Sequence, residues 1–124
     1  MQLKKGLLIA VALMLAGAAS AGEVSKEDWM KAMQTALPTA FCAEGTYFRS
    51  CFKITAKECE DRAASATRVC LADVKDKLPA KFTSAEQGSE WGTKVGSCAG
   101  QAFEITFKAK MIDSAKCKDP NAWK

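Results

Sequence analysis

Six cysteines and the absence of histidine constrain this chain more than any other feature of its sequence. All six lie downstream of an N-terminal segment typical of export: Cys42, Cys51, Cys59, Cys70, Cys98 and Cys117. An even set of cysteines in an exported chain usually closes into disulfides, because the receiving compartment is oxidising. The lack of histidine removes the commonest general base and the commonest metal ligand. The sequence therefore predicts a disulfide-stabilised scaffold and argues against most kinds of enzyme.

Residues 1–21 have the three parts of a secretory signal peptide. Lys4 and Lys5 form the basic start, residues 6–17 are apolar, and residues 19–21 form an A-x-A cleavage site. The apolar stretch is too short to span a bilayer comfortably, and no second stretch follows it. We therefore predict a cleavable signal peptide over 1–21 and a single helical domain over 22–124. The expected location is the Gram-negative periplasm or the exterior, with no transmembrane segment after processing.

The charge balance argues against a nucleic-acid partner. The whole chain has 18 basic and 14 acidic residues, and loss of Lys4 and Lys5 would leave 16 basic residues against 14 acidic ones. A nucleic-acid-binding domain needs a dense basic face. The chain contains no run of basic residues that would build one.

The mature chain reads as helices throughout, because alternating strand patterns and Asn-Gly hairpin turns are absent. Ser25, Thr55 and Ser84 each have the sequence context of a helix N-cap. They predict one helix that begins near residue 26, a second over about 56–78 and a third over about 85–112. Pro38 is expected to break the first helix and begin another over about 38–52. The predicted fold is all-α: a small disulfide-stapled bundle of three to four helices with an antiparallel helical hairpin.

The spacing of the cysteines limits how they can pair. Cys59 and Cys70 are eleven residues apart on one predicted helix, hence about 16 Å apart along its axis. A disulfide needs Cα atoms within about 7 Å, so these two cannot bond to each other. This excludes three of the 15 pairings that six cysteines allow. The simplest remaining arrangement is nested, with pairs Cys42–Cys70, Cys51–Cys59 and Cys98–Cys117.

The spacing C-x8-C followed by C-x10-C resembles the geometry of the twin-cysteine helical hairpins of the mitochondrial intermembrane space. Thiolate metal sites and redox sites usually show C-x2-C pairs, and the sequence contains none. We therefore predict that all six cysteines form structural disulfides. No metal site and no cofactor is expected.

Four glycines recur at every fourth position of the last long helix: Gly88, Gly92, Gly96 and Gly100. Each glycine costs a helix about 1 kcal/mol relative to alanine, so four on one side need a reason. Small residues let two helices approach closely. The stripe predicts either tight packing inside the monomer, against the alanines at positions 63, 64 and 66, or a flat face for a second copy or another protein. A flexible, non-helical segment is the third alternative.

Two patterns resemble catalytic sites without their usual context. Ser50 and Lys53 match S-x-x-K, but the other motifs of serine acyl-transferases are missing. Glu58, Glu60 and Asp61 cluster at a helix start, where acidic residues are favoured by the helix dipole. A paired-carboxylate hydrolase is thus an alternative with little support.

These observations predict a small exported protein that acts by binding and has no catalytic residues. The expected partner is another protein, which it inhibits or neutralises as an immunity protein would. The alternative is a structural or assembly factor that forms a homodimer through the glycine-bearing helix.

Overall fold

The computed structural model describes residues 23–123, and the predicted signal peptide lies outside this range. Over the described residues the chain forms five α-helices: α1 (Lys26–Phe41), α2 (Tyr47–Ser50), α3 (Ala56–Val74), α4 (Ala85–Phe107) and α5 (Ala115–Lys118). Two-residue strands β1 (Val24–Ser25) and β2 (Lys81–Phe82) pair antiparallel, and 3-10 turns span Lys108–Lys110 and Pro120–Trp123. The all-α, disulfide-stapled fold is therefore confirmed, with a minor sheet that the sequence did not indicate.

Capping residues begin the three long helices where the sequence predicted them. The Ser25 hydroxyl accepts from the Asp28 N–H at 3.1 Å, and the Ser84 hydroxyl accepts from Gln87 at 3.2 Å. At α3, Thr55 and Glu58 form a reciprocal capping box. Each cap satisfies backbone donors that a helix N-terminus leaves unpaired, which fixes where the helix begins.

Pro38 does not break the first helix, contrary to the prediction of a second helix over 38–52. It lies within the last turn of α1, and its carbonyl still accepts from the Cys42 N–H at 3.1 Å. A proline in the last turn removes one intrahelical hydrogen bond, and this one is buried in the core. The chain then turns at residues 42–46, with Gly45 at a φ of 82°, a left-handed conformation that favours glycine.

The core lies between α1, α3 and α4. Helix α3 packs against both α1 and α4. Its buried side chains include Cys59, Ala63, Ala66 and Cys70, which follow each other at the spacing of one helix face. At one end of the bundle, Trp29 stacks on Phe82 with ring centroids 4.6 Å apart. At the other end, Phe41, Phe48, Phe52, Phe103 and Phe107 form a connected ring cluster.

All six cysteines form disulfides, but the nested pairing is wrong. The pairs are Cys42–Cys59, Cys51–Cys117 and Cys70–Cys98, with Cα atoms 5.8, 5.5 and 5.9 Å apart. The prediction required a long helix ahead of residue 53, which would have aligned Cys42 with Cys70. Because α1 ends at Phe41, Cys42 lies beside the first turn of α3 instead. The exclusion of a Cys59–Cys70 bond is confirmed, and the twin-cysteine hairpin is not formed.

Within residues 23–123, none of the helices has the length and apolar character needed to cross a membrane.

Candidate functional site

The glycine stripe of α4 faces other helices of the same chain. A Cβ atom built at Gly88, Gly92 or Gly96 would lie 3.5–3.8 Å from a side chain of α1, namely Trp29, Met33 or Leu37. At Gly100 it would lie 3.1 Å from Cζ of Phe48. The missing side chains thus make room for large residues of α1 and α2 rather than for the alanines of α3. The stripe packs inside the monomer along its whole length.

A cleft of about 390 Å³ opens beside the ring cluster, where α2, α4 and the C-terminal tail meet. Tyr47 and Phe48 of α2 form one wall, Glu104 comes from the last turn of α4, and Trp123 comes from the tail. Cys117, Lys118 and Pro120 complete the lining. None of these residues except the cysteine was predicted to form a site. A volume of this size lies at the lower end of the range of about 300–1,000 Å³ for small-ligand sites.

The tail is fixed in place by covalent and polar contacts. The Cys51–Cys117 disulfide ties α5 to the residue that follows α2. The indole N–H of Trp123 donates to the carbonyl of Lys116 at 2.9 Å, and the Lys116 ammonium lies 4.4 Å from the centre of the Trp123 ring. Tyr47 packs edge-on against Trp123 with ring centroids 5.9 Å apart. The aromatic walls of the cleft are therefore held in position before any ligand arrives.

Tyr47 and Glu104 determine the electrostatics of the cleft. Burial, followed by the charge of Glu104 and its hydrogen bonding with the hydroxyl, raises the pKa of Tyr47 to about 12. Tyr47 thus stays neutral at physiological pH, and its surroundings disfavour a second negative charge. Lys118 also lines the cleft, but its ammonium forms an ion pair with Asp113.

Two of the three clustered carboxylates at the start of α3, Glu58 and Asp61, have structural partners. Glu58 accepts from the Thr55 N–H and pairs with Lys110 at 3.5 Å, while Asp61 pairs with Lys57 at 2.8 Å. The backbone hydrogen bond from Thr55, with Lys110 nearby, lowers the pKa of Glu58. A general acid would need the opposite shift, so Glu58 is poorly suited to that role. Within residues 23–123, no group of three or more potential ligands is placed to hold a metal ion.

The residues of the cleft carried only a faint signal in the sequence. Trp123 is the last apolar residue of the chain, and Tyr47 is its single tyrosine. Glu104 is an ordinary acidic residue on an amphipathic helix. More than 50 residues separate Tyr47 from Glu104, and a disulfide that spacing alone could not assign brings the tail beside them.

A family model described as T2SS substrate NttA matches residues 23–111. The match covers more than half of the chain. The chain belongs to the NttA family. As a member of a family of type II secretion substrates, it is an exported protein. The matched residues include the three long helices and Tyr47, Phe48 and Glu104 of the cleft, whereas Trp123 lies beyond them. No curated protein and no solved structure matches the chain significantly.

Proposed function

We propose that this NttA-family protein acts after export by binding another protein through the cleft, and that it inhibits or neutralises that partner. The observation that carries the proposal is the cleft with prepositioned walls: a disulfide, a backbone hydrogen bond and ring contacts hold Trp123 opposite Tyr47. Rigid aromatic side chains bind at a low entropic cost, because little freedom remains to be lost. Tryptophan and tyrosine are also the residues that most often dominate binding energy at protein interfaces.

Binding without catalysis is the activity that the chemistry of the chain supports. The sequence has no histidine, and the acidic residues Glu58 and Asp61 are engaged in a helix cap and ion pairs. The proposal includes no cofactor and no nucleic-acid partner.

We also propose that the protein folds in the periplasm after loss of residues 1–21 and is then secreted. Three disulfides need an oxidising compartment, and the bacterial periplasm is one. The mature protein should begin at Gly22 and contain no reactive thiol. The intact mass of secreted material tests both points, and a mass that includes residues 1–21 would contradict them.

Self-association through the glycine-bearing helix is the less supported alternative. The glycines at positions 88, 92, 96 and 100 face side chains of α1 and α2. A homodimer built on this face would have to separate those helices. We therefore expect a monomer in sedimentation analysis of the oxidised protein.

The proposal is tested by capture followed by reconstitution. Oxidised mature protein is immobilised, captured proteins are identified by mass spectrometry, and binding is repeated with each purified candidate. The double variant Glu104→Gln/Trp123→Leu should weaken binding by about 30-fold or more, as expected when an interface loses a residue worth about 2 kcal/mol. Ile105→Ser is the matched control, since Ile105 neighbours Glu104, is 77% exposed and does not line the cleft.

Inhibition is measured in the same reconstituted pair. The activity of the partner should fall as the protein is added and should reach its minimum at an equimolar ratio. A partner that binds the double variant as tightly as the wild type would contradict the proposed binding site. A partner whose activity is unchanged when bound would contradict the proposed inhibition.

A further inference from the structure

The group that the cleft can recognise follows from its lining. Three aromatic rings and one carboxylate face the same space: Tyr47, Phe48, Trp123 and Glu104. The face of an aromatic ring carries partial negative charge and attracts cations. An ionised carboxylate offers about four acceptor positions, so Glu104, which lies at the exposed surface of α4, can accept several hydrogen bonds from a ligand. Both kinds of group favour a ligand that carries positive charge and several hydrogen-bond donors.

The basic residues near the cleft do not cancel this preference. Lys118 lines the cleft, but its ammonium is paired with the carboxylate of Asp113. Lys116 lies over the Trp123 ring and is not among the lining residues. Its position also shows that the indole ring accepts a cation. Burial is the main cause of the raised pKa of Tyr47, and the negative charge of Glu104 adds to it.

Among the cationic side chains, arginine matches the lining best. A guanidinium group is planar, so it can stack on an aromatic ring while its fork of N–H donors binds a carboxylate through two hydrogen bonds. The ammonium of lysine is compact and strongly hydrated, and it cannot make both contacts in one plane. The combination of a half-buried indole and an exposed carboxylate therefore favours the guanidinium group.

We propose that the cleft binds an arginine side chain presented by the partner protein, with the guanidinium group against the ring of Trp123 and hydrogen-bonded to Glu104. The inference rests on the proposed function, since it names the group through which the partner is recognised. It also makes a chemical prediction that needs no partner.

The test uses N-acetyl-arginine amide as a probe and N-acetyl-citrulline amide as its neutral counterpart of nearly the same shape. Binding to the full mature protein is followed by the NMR signal of the Trp123 indole N–H, which a Trp123→Phe variant identifies. We expect a saturable shift with the arginine probe and a dissociation constant on the order of 1 mM. The citrulline probe and N-acetyl-lysine amide should bind at least about tenfold more weakly.

Glu104→Gln should weaken the arginine probe about tenfold or more, because it removes a hydrogen bond to a charged group. Glu86→Gln is the matched control, since it removes the same charge from the exposed first turn of α4 and should leave the affinity unchanged. An unchanged melting temperature shows that each variant is folded. The inference is overturned if the citrulline probe or the lysine probe binds as tightly as the arginine probe. It is also overturned if the arginine probe causes no shift, or if Glu86→Gln weakens its binding as much as Glu104→Gln does.

The two proposals fail in different ways. If a partner binds through the cleft and the arginine probe does not, the arginine inference is wrong and the proposed function stands. If the arginine probe binds as expected and no partner depends on the cleft, the proposed function is wrong, and so is the assignment of that arginine to a partner.

Discussion

The two sides of helix α4 differ in how closely they are packed. Along the glycine stripe, α4 has no side chains, and the residues of α1 fill the space. At its C-terminal end, α4 meets bulky rings from α2 and the tail, which leave a cleft of about 390 Å³. Glycines permit close approach of two helices, whereas the rings of Tyr47 and Trp123 beside the cleft stay only half-buried. Helix α4 thus has one side that is tightly packed against α1 and another that borders the cleft, where Glu104 contributes a negative charge.

The strongest test of this contrast removes the bridge that holds the tail. In the loop-entropy account, the Cys51–Cys117 disulfide spans 66 residues and contributes about 4 kcal/mol, while Cys42–Cys59 spans 17 residues and contributes about 3 kcal/mol. Cys51→Ala/Cys117→Ala should therefore lower the free energy of unfolding more than Cys42→Ala/Cys59→Ala. Urea unfolding of both variants measures this. A smaller loss in the tail variant would mean that the tail unfolds independently of the bundle.

The second test adds one methyl group at two positions of the glycine stripe. Gly96→Ala should stabilise the protein by up to about 1 kcal/mol, because alanine is the better helix former and its Cβ would lie 3.7 Å from the nearest atom of Leu37. Gly100→Ala should gain less or lose stability, since its Cβ would lie 3.1 Å from a Phe48 ring that is stacked on Phe41. Thermal unfolding ranks the two variants. Equal stabilisation by both would show that the ring cluster yields easily.

The third test is a pH titration of Tyr47, which lines the cleft. Tyr47 is the single tyrosine of the chain, so absorbance of the phenolate reports on it alone. It should ionise near pH 12, and its pKa should fall in Glu104→Gln but stay above 10, because burial is the largest cause of the shift. Because the folded pKa is raised, the associated stability is present below pH 10 and is lost as the pH rises from 10 to 12. Ionisation near pH 10 in the folded wild type would contradict both the effect of burial and that of Glu104.

The smallest expected effect concerns the Glu58 carboxylate, which caps α3 and pairs with Lys110. The pKa of Glu58 is lowered, so its contribution to stability is present above the usual carboxyl pKa and disappears as the pH falls below it. The melting temperature of the wild type should thus fall more steeply between neutral and acidic pH than that of Glu58→Gln. Parallel pH profiles would mean that the capping carboxylate and Lys110 contribute nothing measurable.

Local signals in the sequence predicted local structure well. Ser25, Thr55 and Ser84 begin helices where expected, because a cap depends only on residues within one turn. The spacing of Cys59 and Cys70 correctly excluded a disulfide between them, because both lie on one helix. The glycine stripe indicated close packing, although its neighbours are large side chains of α1 rather than alanines of α3.

Features that depend on tertiary contacts were not predictable in this way. Pro38 was expected to end a helix, but its position in the last turn and its burial make it tolerable. All three observed disulfides differ from the nested pairing, because each joins segments whose proximity depends on the packing of the helices. Near the end of α4, Ile105 is 77% exposed whereas Phe103 is fully buried, a difference that depends on which neighbours pack against each side chain. The cleft combines residues from positions 47 to 123, and no local pattern links them.

The order in which the chain is made has a consequence for the cleft. Synthesis begins at the N-terminus, so Tyr47 and Cys51 are made well before Cys117 and Trp123. The wall that Tyr47 forms therefore exists before the wall that Trp123 forms, and the Cys51–Cys117 bridge that holds the second wall can close only after both cysteines are present. A chain that reaches only to the end of α4 lacks Trp123 and hence the complete cleft. The cleft is therefore finished only when Cys117 has met an oxidising compartment.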